Sequence, residues 1–166
     1  ADFLEKKLEE SAKKFDAREV TSFQIMAWTL PTEAGFYYMR DLRETNPMEV
    51  GLDKGIDWNK AFIGKDALLR IQEAGPSREM VGFTTEEADV YVHPKNLSGP
   101  KEADNVYKDG EKVGVLSKFV YSYVQERPVG YILAKKGTLK EGDRVKIRTL
   151  EAVITKKQFL AKNGRD

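Results

Sequence analysis

The stretch Glu33-Ala34-Gly35-Phe36-Tyr37-Tyr38 sets one carboxylate beside three aromatic rings. Flat aromatic ligands need ring faces to stack on, and a buried acid can receive two N–H donors from a guanidine-like heterocycle edge. Glu33 and its neighbours could supply both. Residue types alone favour a plainer reading, in which the rings fill a core and Glu33 is a surface charge. His93, in Tyr91-Val92-His93-Pro94, is a candidate general base, but a lone histidine at a strand end is more often packed or solvent-facing. Lys135-Lys136 and Lys156-Lys157 read as solvated charges at strand ends. There is no Walker loop, G-x-G-x-x-G, G-x-S-x-G or H-E-x-x-H motif, so no residue is assigned a catalytic role.

Composition narrows the chemistry further. With Cys 0 and His 1, thiolate catalysis, Cys-ligated metals and multi-histidine metal sites are excluded, and no metal is expected. Lys+Arg 28 against Asp+Glu 27 leaves a net charge of +1, which argues against nucleic acid as a partner. No apolar run approaches the roughly 20 residues of a membrane span, so a membrane is not expected as a partner and the anticipated location is cytoplasmic. A chain of 166 residues can bury a sizeable core without staples.

Helical signals come first. Leu4, Leu8, Ala12 and Phe15 share one face of an amphipathic helix whose other faces are charged. A capping-box spacing at Thr21 and Gln24 announces a second helix, with Phe23, Met26, Ala27 and Leu30 as its stripe and Pro31 as its stop. Asn46-Pro47-Met48-Glu49 is a third start signal, and a fourth helix is expected from Gly64 to Ala74, with Leu68 and Ile71 inward and Gly75 ending it. The period then becomes alternating. Strands are expected at Met80–Thr84, Val90–Val92, Asn105–Lys108, Glu111–Leu116, Phe119–Val124, Val129–Ala134, Arg144–Arg148 and Ala152–Thr155, with Asp109-Gly110 as a two-residue hairpin turn and a surface loop over Ser98–Asp104. The fold class is therefore α+β: helices, then a small closed antiparallel barrel or a sandwich of about six or seven strands. The opening Ala1-Asp2-Phe3, without an initiator Met, reads as an excerpt of a longer chain, although processing would look the same.

Four segments in this order resemble the folate-dependent aminomethyltransferases typified by the glycine cleavage T-protein. They are Glu33-Ala34-Gly35; Pro47-Met48-Glu49-Val50-Gly51-Leu52; Phe62-Ile63-Gly64-Lys65-Asp66-Ala67-Leu68; and the barrel pattern Gly110…Gly114-Val115-Leu116-Ser117…Tyr121-Ser122, ending in Lys156…Phe159. The resemblance covers nearly the whole chain but only the C-terminal half of a typical member. It implies residues 1–62 as the C-terminal part of a folate-binding domain and 63–166 as the family's C-terminal barrel domain. It also implies that Glu33 binds the pterin of tetrahydrofolate, that Phe36 and Tyr37 lie near that ring, and that Lys60 falls towards the folate tail. The implied reaction moves a one-carbon unit from a donor to tetrahydrofolate, aided by an aspartate in an N-terminal half that is missing here, so the isolated chain is expected to be inactive. Departures from the family pattern include Pro31 in place of the arginine of R-x-E-A-G and Leu116-Ser117-Lys118 in place of T-S-G. They fit a divergent O-, S- or N-demethylase better than the aminomethyl-lipoyl reaction. The runner-up reading is a stand-alone, non-catalytic barrel that binds or interacts with a partner.

Overall fold

The computed structural model describes residues 2–15, 25–86 and 104–160. Helix α1 (Asp2–Lys14) leaves Phe3, Leu4, Leu8 and Phe15 exposed, so its apolar face is turned to solvent. The capping signal at 21–24 lies outside the described residues. A π-helical turn at Ile25–Thr29 then runs directly into α2 (Leu30–Glu33). Pro31 does not end this helix. It sits in the first turn of α2, where a missing N–H costs nothing, and the chain turns out of the helix only at Gly35, whose φ is +83°. A 3-10 turn, Met39–Leu42, leads to α3 (Pro47–Val50). Here the sequence signal holds in full: Asn46 accepts from the Met48 and Glu49 amides, Glu49 returns a bond to the Asn46 amide, and Gly51 closes the turn in the left-handed region. After a 3-10 turn at Asp53–Gly55, α4 (Lys65–Ala74) runs from Gly64 to Gly75, with Leu68 and Ile71 half-buried.

Six strands follow: β1 (Arg78–Thr84), β2 (Asn105–Lys108), β3 (Glu111–Ser122), β4 (Arg127–Lys135), β5 (Arg144–Ile147) and β6 (Leu150–Thr155). They form a closed barrel in the order β1-β4-β3-β2-β5-β6, antiparallel throughout. Closure is made by β1 on β6, with Phe83 opposite Ile154, and it leaves no open sheet edge among the described strands. The Asp109-Gly110 hairpin is as expected, with φ of 51° and 85°. The strands expected at 111–116 and 119–124 are instead one strand, because β3 passes through a bulge between Leu116 and Lys118 without ending. The strand expected at Val90–Val92, the loop preceding Asp104 and His93 lie outside the described residues.

The core has two parts. Phe83, Leu116, Ile132, Ile147, Leu150 and Ile154 belong to the cluster inside the barrel. Val50, Met80, Val120, Val129, Tyr131 and Phe159 form a second cluster, with Trp28, Tyr37 and Leu42 packed against it. Strand β4 serves both: Tyr131 and Leu133 belong to the second cluster, Ile132 and Ala134 to the first. That double burial explains why β4 reads as a nearly continuous apolar run. The helical segment from Trp28 to Val50 is thus laid over the outside of the barrel.

Candidate functional site

Glu33 ends α2, and its backbone is fixed from the far end of the chain: its carbonyl accepts from the Phe159 and Leu160 amides at 3.1 and 3.0 Å. Its side chain is completely buried, which overturns the reading of a surface charge. Oε1 accepts the Ser122 hydroxyl at 2.7 Å and the Val124 amide at 3.3 Å. Oε2 is enclosed and has no hydrogen-bond partner among the described residues. An ionisable group in that position is costly unless something else donates to it.

The β3 bulge makes this arrangement. Leu116 points into the barrel, and the bulge turns Lys118 to the opposite face, so that Lys118, Val120 and Ser122 follow in alternation beneath the helical segment. Ser122 reaches Glu33 there. Lys118, also buried, donates to both carboxylate oxygens of Asp41 at 3.0 and 2.8 Å. Asp41 in turn accepts the Tyr38 amide at 2.8 Å, and Lys118 Nζ lies 5.7 Å from the Tyr38 ring. This buried pair was not read from the sequence. Its only signal was Lys118 in Leu116-Ser117-Lys118, one of the departures from the pattern that the resemblance implies.

The other candidate residues divide. Tyr37 is half-buried; its hydroxyl donates to the Val50 carbonyl at 3.0 Å and its ring meets Tyr131 edge-on at 5.2 Å. Burial, reinforced by the Asp41 charge, pushes the Tyr37 hydroxyl far above its ordinary value, so it stays protonated. Tyr131, raised by the same causes together with Tyr37, donates to the carbonyls of Thr32 and Phe36 at 3.1 and 3.3 Å. Phe36 is therefore held by its backbone while the residue remains 68% exposed. Lys60 is exposed and pairs with Asp57, 3.6 Å away on its own turn. Glu33, Phe36 and Tyr37 thus gather around α2 and β4, and Lys60 makes its ion pair elsewhere.

Lys157 corrects another expectation. It is half-buried, donates to the Val50 carbonyl at 2.8 Å and lies 5.5 Å above the Tyr37 ring. Burial lowers its pKa. Lys135, Lys136 and Lys156 are exposed as anticipated. The helical segment is further clamped by Arg78 of β1, which reaches both oxygens of the buried Glu49 at 2.8 and 3.0 Å. Among the described residues no cluster of His, Cys, Asp and Glu could hold a metal ion, and no helix is long and apolar enough to cross a membrane.

No family model matches the chain. Curated proteins do. It is 32% identical over 127 residues to an aminomethyltransferase of Thermosipho melanesiensis, covering 74% of this chain and 32% of that one. It is 30% identical over 142 residues to an aminomethyltransferase of Thermoanaerobacter pseudethanolicus, covering 81% and 36%. A probable aminomethyltransferase of Pyrococcus furiosus is 33% identical over 107 residues, covering 64% and 25%. Among solved structures, glycine cleavage system aminomethyltransferase T from Bartonella henselae superposes with a TM-score of 0.65 at 21% identity, over 80% of this chain and 37% of that one. That likeness bears out the α+β fold with its small barrel. The chain is a relative of the aminomethyltransferases, as its motifs indicated, and it spans between a quarter and somewhat over a third of the length of these curated relatives.

Proposed function

We propose that this chain is the C-terminal portion of a tetrahydrofolate-dependent aminomethyl- or methyltransferase, with residues 1–62 completing a folate-binding domain and 63–166 forming the barrel domain. In this reading Glu33 accepts N–H donors from the pterin, Phe36 and Tyr37 flank the ring, and Lys60 faces the folate tail. The carrying observation is the bare Oε2 of Glu33: a buried carboxylate oxygen without a donor is what an N–H-rich heterocycle edge would complete. The reaction moves a one-carbon unit from a donor to tetrahydrofolate and belongs to cytoplasmic one-carbon metabolism. Positioning supplies most of the rate in such a transfer, and the group that assists N5 of tetrahydrofolate is attributed to the missing portion.

The test is thermal unfolding with and without tetrahydrofolate. A ligand of the native state stabilises it by about 2.7 kcal/mol at a hundredfold excess over Kd. A raised midpoint that Glu33→Gln abolishes supports the reading. An unchanged midpoint in the unmodified chain overturns it and leaves the non-catalytic interaction module.

A further inference from the structure

Ser122 is buried and its hydroxyl accepts the Gln125 amide at 3.1 Å. With one lone pair so occupied, the hydroxyl hydrogen is directed at Glu33 Oε1, 2.7 Å away. The Val124 amide adds a second donor to the same oxygen. Oε1 therefore already holds the two bonds a carboxylate oxygen readily accepts, while Oε2 holds none. The clamp is tied at both ends. The Gln125 side chain donates to the Phe159 carbonyl, and the Phe159 amide donates back to the Glu33 carbonyl. Turning the carboxylate about its own axis would break both bonds to Oε1.

We infer that Ser122 is a positioning residue for the tetrahydrofolate site, holding Glu33 so that the pterin edge is met by Oε2 alone. This rests on the function proposed above and sharpens it. The two-oxygen fork suggested by the sequence has one prong occupied by the protein, so the ligand's N–H donors converge on a single oxygen. Ser122 does not touch the ligand; it acts through Glu33.

Isothermal titration of the chain with tetrahydrofolate, and separately with p-aminobenzoylglutamate, tests this. The second probe carries the folate tail without the pterin and so has nothing to offer Oε2. Ser122→Ala is expected to weaken tetrahydrofolate binding by about tenfold, the scale of one lost bond to a charged group. Ser122→Thr, which keeps the hydroxyl, is expected to stay within about threefold of the unmodified chain, and binding of the tail probe is expected to be the same in all three. If Ser122→Ala does not fold by its thermal midpoint, Ser122→Cys carries the same expectation. Tetrahydrofolate binding unchanged in the variant, or both probes weakened alike, overturns the role of Ser122 while leaving the pterin site standing. No tetrahydrofolate binding by the unmodified chain overturns both.

Discussion

Lys118 and Asp41 show what a single buried charge is worth in this protein. Their side chains are nearly inaccessible, so each is tolerable only because the other is present. Lys118→Met should cost about 3–5 kcal/mol in denaturant unfolding, because it strands the Asp41 carboxylate. Adding Asp41→Leu should recover most of that loss; a double variant no more stable than the single would mean that Lys118 acts by packing alone. Partly buried pairs follow a different rule. Burial works to raise the Glu79 pKa, but hydrogen bonds from Lys136 at 2.6 Å and from the Gly137 amide at 2.8 Å outweigh it and hold the group below 4.5. A carboxylate with a lowered folded pKa stabilises the fold fully above its unfolded value and ceases to as pH falls through the folded one. Glu79→Gln should therefore lower stability at pH 7 and converge on the unmodified chain as the pH falls well below 4.5, with a small effect because Lys136 is half in solvent. A pH titration of the unfolding midpoint checks this.

At the scale of elements, the barrel depends on backbones that approach too closely for a side chain. A Cβ on Gly130 of β4 would overlap the Lys118 carbonyl and lie 2.8 Å from the Phe83 ring. Gly130→Ala should therefore abolish cooperative unfolding or lower the midpoint steeply, since neither the β3 backbone nor the enclosed ring can move aside. By contrast, Gly137→Ala meets no atoms and should cost only the strain of its φ of +78°. Circular dichroism melts of the two variants separate these cases. The same contrast explains what the sequence revealed. Alternation exposed the strands, Asp109-Gly110 exposed its hairpin, and Asn46-Pro47 exposed α3, because each signal is local. The β3 bulge was hidden, since a bulge keeps the residue types of a strand and changes only which face they occupy. With it went the buried positions of Lys118 and Ser122, and hence the partners of Asp41 and Glu33. Pro31 misled for a related reason: whether a proline stops a helix or starts one depends on what precedes it, and a π-helical turn precedes it here.

At the scale of the whole molecule, order is unevenly shared. The barrel and the segment from Trp28 to Val50 hold both hydrophobic clusters, whereas α1 turns Phe3, Leu4, Leu8 and Phe15 outward. A helix of 13 residues with no buried face draws little stability from packing and is marginal by itself in water. Removing residues 1–15 should accordingly shift the thermal midpoint by no more than about 2 °C, as little apolar surface is lost from the folded state. A fall of about 8 °C or more would mean that α1 supports the barrel in solution. Turnover is the complementary question. In the function proposed above Glu33 orients a pterin, while Tyr37 and Tyr131 beside it are held protonated by burial and the Asp41 carboxylate is engaged in its ion pair with Lys118. Incubated with tetrahydrofolate and an aminomethyl donor, the chain should bind the folate without forming methylenetetrahydrofolate. Product detected above the uncatalysed rate would place a competent proton-transfer group within these 166 residues and would end the view of this chain as a binding portion alone.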